Sequence, residues 1–265
     1  ILLLTAAPLM WAGNAVVGRV VHDMISPMLL NFVRWLIAFL ILLPLGWRIL
    51  RNGSPLWPHW KRWSIIGLLG IGCYNALQYL ALKTSGPINV TLVASSMPLW
   101  MMAFGALFFN TRATRPQMLG AVFSICGVLL VLSHGQWEQL TALRLVPGDL
   151  DVLLSTACWS LYSWLLVRTT EPAGIKGQWA QFLMAQMAFG LVWSGLFSAG
   201  EWAVGASHLE LYGTLIAAIA YIVAGPAILA YRCWGVGVLR VGPTVAGFFT
   251  NLTPLFAAGP SAGCL

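Results

Sequence analysis

The chain has 265 residues, of which 59% are hydrophobic and only 8% are charged. A soluble domain could not bury so much apolar surface and would carry about 25% charged residues, so this composition excludes a soluble globular protein and predicts that lipid surrounds most of the chain. The net charge of +7 comes from Lys and Arg in short connections, a distribution that indicates membrane topology rather than a nucleic-acid-binding surface.

Long apolar runs define the predicted secondary structure. A helix needs about 20 residues to cross the hydrocarbon core of a bilayer, and charges, prolines and polar clusters divide the chain into runs of that length. The predicted spans are 2–21, 28–50, 63–83, 87–109, 116–134, 150–168, 178–199, 211–233 and 243–259. An outer-membrane barrel would instead show alternating segments of about ten residues. The fold class is therefore predicted as an all-α polytopic membrane protein with no separate soluble domain.

Basic residues predict the orientation of these spans. With a cytoplasmic N-terminus, ten Lys and Arg fall in connections on the inside, and only Arg19, Lys83 and Arg144 fall outside. Because inner connections carry the excess of positive charge, we predict that the N-terminus is cytoplasmic.

One segment of the chain occurs twice. The run ALKTSGPINVTLVASSMPLW at 81–100 returns as GVLRVGPTVAGFFTNLTPLF at 237–256, without a gap. The alignment pairs Gly86-Pro87 with Gly242-Pro243 and Pro98 with Pro254. Two copies of one membrane element predict a duplicated transporter whose site lies between its halves.

The duplication predicts a ten-helix inverted 5+5 repeat. Five spans are an odd number, so the second half must enter the bilayer from the opposite side. We predict that residues 1–135 form the first half, that 136–148 connect the halves in the periplasm, and that 149–265 form the second half. Only nine spans are visible, because the tail after Leu255 lacks the apolar run of the first copy. The expected tenth helix is therefore missing or truncated.

Several stretches are similar to a known family. They are MWAGNAVVGR in the first span, NFVRWLIAFLILLP in the second, ASSMPLWMMAFGALFF in the fourth and RPQMLGAVFSICGVLLVL in the fifth. The chain resembles the drug/metabolite transporter superfamily, EamA type, and within it the YddG-like branch of bacterial inner-membrane exporters of aromatic and other amino acids. This resemblance implies ten helices, a central cavity and alternating access. Family members often carry Glu after the fourth helix, where this chain has Asn110, so no role of that Glu is carried over.

Helical spacing supplies candidates for the substrate cavity. On the third span Asn75, Gln78 and Tyr79 share one face. An unpaired amide in hydrocarbon costs about 2–7 kcal/mol, so a face with two amides is expected to point into the protein. The predicted cavity residues are Trp11, Asn14, Tyr74, Asn75, Gln78, Tyr79, Ser96, Trp100, Trp159, Tyr162 and Asn251. The alternative is that these polar groups only join neighbouring helices.

Three residues within spans have two interpretations each. Pro98 and Pro254 remove a backbone donor and bend their helices; we predict a gating role for both, and the alternative is that they only shape the bundle. Arg34 is the one basic residue well inside a span. It could snorkel to the outer surface, bind helix-end carbonyls or bind a substrate carboxylate, and we favour a structural role.

The predicted function is export of amino acids, aromatic and other neutral ones, by a secondary transporter. The alternative is export of other small metabolites or drugs, such as lipophilic cations or nucleotide-sugar-like solutes. Anionic substrates would require paired Lys or Arg in the cavity, and cations would require a buried carboxylate; neither stands out in the sequence. The lack of an embedded acid favours facilitated diffusion, or coupling through a peripheral group.

Other chemistries find little support in the sequence. No HExxH motif is present, so we predict that the chain is not an enzyme. The five Cys form no CxxC pair, and neither a metal nor a cofactor is predicted. The predicted partners are an amino-acid substrate and the lipid bilayer, with the protein as a monomer and without nucleic acid.

Overall fold

Helices account for almost all of the described chain. The computed structural model describes residues 1–85, 90, 93–132, 146–168 and 178–261. Its helices are α1 Leu2–Val20, α2 Pro27–Gly46, α3 Trp60–Ala81, α4 Met97–Phe108, α5 Arg115–Leu132, α6 Pro147–Arg168, α7 Trp179–Ala203, α8 Gly213–Val241, and α9 in the two segments Pro243–Thr250 and Leu252–Ser261. Within the described ranges, extended residues pair only in a single bridge between Ile25 and Leu209. The predicted all-α class is confirmed.

Five of these helices are long and apolar enough to cross a bilayer. They are α2 with its 3₁₀ extension to Leu50, α3, α6, α7 and α8. The helices α4 and α5 are shorter apolar helices. The predicted end of the eighth span at residue 233 is wrong, because α8 continues to Val241 and carries Arg232 and Arg240 on its last turns.

Local residue chemistry ends two of the helices. After α8, Gly242 has a φ of +81° and Pro243 begins α9, a combination in which glycine adopts the left-handed conformation and proline fits the first helical turn. After α4, Asn110 has a φ of +49°, and Asn tolerates this conformation better than most residues. Asn110 therefore fits a backbone requirement at this position. The first Gly-Pro pair, Gly86-Pro87, lies outside the described residues.

Two π-helical segments lie at equivalent positions of the repeat. Leu68–Cys73 interrupts α3 and Val223–Leu229 interrupts α8. A π turn leaves backbone carbonyls without their usual α-helical partners, so that they can accept other donors. The Ile71 carbonyl accepts a hydrogen bond from Asn31 Nδ2 at 2.9 Å, and the Pro226 carbonyl accepts one from Trp11 Nε1 at 3.4 Å. Both π segments thus bind neighbouring helices through side chains.

Two helix breaks also lie at equivalent positions. Ser95 and Ser96 form a turn before α4, and Asn251 separates the two segments of α9. Asn251 Nδ2 donates to the Ser95 carbonyl at 3.3 Å, and Asn75 Nδ2 donates to the Tyr231 hydroxyl at 3.1 Å. Each of these bonds joins residues 156 positions apart, the same spacing as the sequence repeat. When two halves are related by a two-fold axis, a residue can contact its own equivalent in the other half only if it lies close to that axis.

The repeat boundaries are not tested by these contacts. The predicted boundary at 135 and most of the predicted connection 136–148 fall within residues 133–145, which lie outside the described chain. The division into 1–135, 136–148 and 149–265 stays a prediction.

Glycine contacts position α3, which carries several predicted site residues. A Cβ atom on Gly67 would lie 2.6 Å from the backbone nitrogen of Gly190 in α7, and one on Gly190 would lie 2.5 Å from Ile71 Cγ2. Such distances leave no room for a side chain, so small residues let the two helices approach closely.

We expect Gly190→Ala to destabilise the protein by about 1–3 kcal/mol, because the added methyl group overpacks the contact with Ile71. The matched control in the same helix is Gly200→Ala, since a Cβ there would meet nothing within 4 Å. Thermal unfolding in detergent measures both variants. A melting temperature several degrees lower for Gly190→Ala alone is the expected result, and equal values for the two variants would contradict the close approach of α3 and α7.

Candidate functional site

The two helix breaks line one cavity of about 90 Å³, which we call the break cavity. Its lining residues are Trp11, Ala15, Tyr74, Gln78, Val90, Ala94, Ser95, Met97, Thr250, Asn251, Thr253 and Pro254. Where a helix is interrupted, backbone groups and helix ends become available to a ligand, and transporters use such breaks to bind substrates. The cavity combines aromatic rings with two carboxamides and several hydroxyl groups.

Six aromatic side chains form a cluster behind the break cavity, with Trp159 at its centre. The ring of Trp159 has centroid distances of 4.3 Å to Tyr74, 4.8 Å to Tyr162, 5.1 Å to Trp11, 5.2 Å to Tyr231 and 5.5 Å to Trp234. Edge-to-face and tilted pairs of this kind are the favoured arrangements of aromatic rings. Trp159 is fully buried, and its indole N–H has no hydrogen-bond partner among the described residues. A buried donor of this kind costs about 1–3 kcal/mol while it is unpaired.

A second cavity, of about 280 Å³, lies between α7 and the last turns of α8, and we call it the arginine-lined cavity. Arg232 and Arg240 line it, and the Arg232 guanidinium lies 4.4 Å from the ring centroid of Trp179. Gln186 also lines it and accepts a 2.8 Å hydrogen bond from the Tyr162 hydroxyl.

The aromatic cluster separates the two cavities. Trp11 and Tyr74 line the break cavity, whereas Tyr231 lines the arginine-lined cavity. The ring centroids of Trp11 and Tyr231 are 6.4 Å apart. A solute that passed from one cavity to the other would have to move these rings.

Arg34 is surrounded by neutral polar groups in the protein interior. Its side chain is 0% exposed, and Nη1 donates to Asn75 Oδ1 at 3.1 Å and to the Tyr79 hydroxyl at 2.8 Å. The Tyr79 hydroxyl donates in turn to Asn14 Oδ1 at 3.0 Å. The possibility that Arg34 snorkels to the surface is therefore wrong, because the side chain is fully buried and bonds to Asn75 and Tyr79 of α3.

The charge of Arg34 is not neutralised by any described residue. No described carboxylate lies within 4 Å of the guanidinium, and Nε and Nη2 have no hydrogen-bond partner in the described part of the chain. A guanidinium stays protonated in proteins, and burying an unpaired charge costs several kcal/mol.

The predicted residues of α3 point in two directions. Tyr74 and Gln78, four residues apart, line the break cavity. Asn75 and Tyr79, also four apart, face Arg34 instead, together with Asn14 of α1. The structure thus brings these predicted residues into two adjacent groups.

Three predicted residues of the fourth span lie outside the lining of both cavities. Ser96 donates to the Val93 carbonyl at 2.6 Å, and the Trp100 ring packs on Phe104 at 5.4 Å. Pro98 is buried in the first turn of α4, directly after the break. Its counterpart Pro254 follows the break in α9 and lines the break cavity. The binding roles and the gating roles all stay predictions.

Some residues of the site are absent from the predicted set. Tyr231 and Trp234 of the aromatic cluster are the repeat equivalents of Asn75 and Gln78, so the 156-residue spacing could have identified them.

Asp149 is buried at the start of α6, where it accepts hydrogen bonds from the Ser85 hydroxyl and, at 2.9 Å, from the Val146 N–H. No pattern in the sequence indicated that this acid would be covered.

Known transporters are similar to this chain. The uncharacterised transporter YyaM of Bacillus subtilis is 28% identical over 191 residues, which are 72% of this chain and 61% of YyaM. The aromatic amino acid exporter YddG of Ancylobacter novellus is 27% identical over 213 residues, which are 80% of this chain and 68% of the exporter. This chain thus matches less than two thirds of the length of YyaM.

The fold is also found in a crystal structure. A protein of 21% sequence identity superposes with a TM-score of 0.71, over 100% of this chain and 88% of its own. At this identity the match concerns the fold alone. The sequence profile of the EamA-like transporter family matches residues 1–133, half of the chain. The chain therefore belongs to the EamA-like transporter family.

Proposed function

We propose that this transporter exports neutral amino acids, aromatic ones included, by alternating access through the break cavity and the arginine-lined cavity. The observation that carries the proposal is the meeting of two broken helices at a cavity walled by Trp11, Tyr74 and Gln78. Discontinuous helices that meet in this way are typical of substrate sites in secondary transporters.

The chemistry of the break cavity suits a zwitterion with an apolar side chain. Indole and phenol rings offer dispersion contacts and ring stacking to an aromatic side chain. The Gln78 carboxamide and the hydroxyl groups of Thr250 and Thr253 offer donors and acceptors to the amino and carboxylate groups. The name of the YddG relative, an aromatic amino acid exporter, agrees with this substrate class.

The aromatic cluster would act as the barrier of the transport cycle. With the N-terminus in the cytoplasm of a bacterial cell, Arg232 and Arg240 lie on the inner side, so the arginine-lined cavity would receive the substrate. The break cavity would then release it on the outer side. Alternating access requires that the rings around Trp159 move so that the substrate can reach only one side of the membrane at a time. The transporter would work as a monomer in the inner membrane.

We expect purified protein in liposomes to take up labelled phenylalanine and tryptophan in exchange for the same amino acid loaded inside. Methionine and threonine test the wider neutral class, and a lipophilic cation and a nucleotide sugar test the alternative substrates. Uptake of the amino acids above that of empty liposomes supports the proposal. Uptake of the cation or nucleotide sugar alone would contradict amino-acid export and favour the alternative.

The break cavity predicts which tryptophan matters for transport. We expect Trp11→Ala to lower the rate of phenylalanine exchange by about tenfold or more, equivalent to about 1.4 kcal/mol of lost interaction, since the ring lines the cavity. The matched control is Trp100→Ala, because Trp100 packs on Phe104 and lines neither cavity. Exchange is measured after size-exclusion chromatography has shown that each variant is folded.

Gln78→Ala provides a second test with a smaller change in volume. It removes the carboxamide from the cavity wall, and we expect a higher half-saturating concentration for phenylalanine. Equal losses of activity in Trp11→Ala and Trp100→Ala, with no effect of Gln78→Ala, would show that the break cavity is not on the substrate path.

A further inference from the structure

We propose that Arg34 binds the α-carboxylate of the transported solute during the cycle, an inference that rests on the proposed export of amino acids. Arg34 is fully buried, yet two of its three nitrogen atoms have no hydrogen-bond partner among the described residues. The proposal assigns these free donors to the substrate.

The free donors have the geometry that a carboxylate needs. Nη1 is already used by Asn75 and Tyr79, at 3.1 Å and 2.8 Å. The unpaired atoms, Nε and Nη2, lie along the same edge of the guanidinium and direct their N–H bonds in parallel. A carboxylate binds such an edge with both oxygens in a bidentate pair.

Among the described residues, the surroundings of Arg34 supply hydrogen bonds without supplying a negative charge. Asn75 and Tyr79 are neutral, and the rings of Trp35 and Tyr79 lie 5.1 Å and 5.9 Å from the guanidinium carbon. These ring contacts stabilise a cation only in part. An anionic ligand would neutralise the guanidinium and accept from Nε and Nη2. A purely structural role would use only Nη1 and would leave Nε and Nη2 without a function.

Arg34 lies one layer of side chains behind both cavities. Its partners Asn75 and Tyr79 each follow a residue that lines the break cavity, Tyr74 and Gln78. On the other side, Asn75 bonds to Tyr231, which lines the arginine-lined cavity and packs on Trp35 with a centroid distance of 4.8 Å.

Two hydrogen bonds of the Tyr231 hydroxyl would control access to Arg34. It accepts from Asn75 Nδ2 and donates to the Gly70 carbonyl, and both bonds join α8 to α3. When both bonds open, Tyr231 can move with α8, and the free edge of Arg34 becomes reachable from a cavity. The carboxylate would then occupy the guanidinium edge while the side chain of the substrate stays among the rings.

The test compares ligands that differ only at the carboxyl group. Thermal unfolding of the full chain in detergent is measured with phenylalanine, phenylalaninamide, 3-phenylpropanoate and 3-phenylpropanamide. We expect each carboxylate to stabilise the wild type at concentrations about tenfold or more below those of its amide. In Arg34→Gln this preference is expected to disappear, while the effect of the amides stays.

A second variant keeps Arg34 and neutralises its charge from within. Asn75→Asp places a carboxylate of nearly the same shape against Nη1, to which the Asn75 oxygen already bonds, so we expect a higher melting temperature without ligand and, because the guanidinium is then paired, the loss of the carboxylate preference. This variant tests the proposal if Arg34→Gln does not fold. Size-exclusion chromatography and the melting temperature without ligand show whether each variant is folded.

The outcomes separate this proposal from amino-acid export. If 3-phenylpropanoate stabilises the wild type in preference to its amide and phenylalanine does not, Arg34 binds carboxylates but the exported solute is not an amino acid. If Arg34→Gln or Asn75→Asp keeps the carboxylate preference, or if the wild type has none, the assignment of Arg34 is overturned, whether or not phenylalanine is transported.

Discussion

The hydrogen bond from Asn251 to the Ser95 carbonyl holds the two helix breaks together, and the break cavity depends on it. A continuous helix would satisfy its own carbonyls and present only side chains to its neighbour. Because both helices are interrupted at the same position of the repeat, the Ser95 carbonyl of one break can accept from the Asn251 side chain of the other. A second bond between equivalent residues, from Asn75 to Tyr231, closes the layer behind the cavity.

The low polarity of the bilayer explains why these features occur together. Lipid provides no partners for backbone groups, so interruptions of a membrane helix are tolerated only where protein or a cavity covers them. The π segments of α3 and α8 obey this rule, since Asn31 and Trp11 donate to their carbonyls. The side chain of Arg34 differs, because its charge is not neutralised and two of its nitrogen donors have no hydrogen-bond partner within the described chain. This lack of partners makes Arg34 the interior polar residue that points most directly to a ligand.

The sequence predicted the features that depend on local periodicity. The helices and the repeat spacing follow from patterns within a single span or between two copies of one. The register within a span was harder to predict. Trp100 lies four residues after Ser96, which suggests a shared face, but the chain turns at Ser96 and α4 begins at Met97, so helical spacing does not hold across that point.

Long-range contacts were beyond the reach of the sequence. Arg34 lies near the start of α2, which is compatible with a side chain that reaches the surface. Its burial depends on Asn75 and Tyr79 from α3, which come more than 40 residues later in the chain. The same holds for the aromatic cluster, whose centre is Trp159 of α6 and whose other members come from α1, α3, α6 and α8.

A structure of the protein determined with bound phenylalanine tests the central claim most directly. The account predicts density for the ligand between the breaks at Ser95 and Asn251, with its ring against Trp11 and Tyr74. Density confined to the arginine-lined cavity or to the lipid-facing surface, with the break cavity still closed and empty, would contradict it.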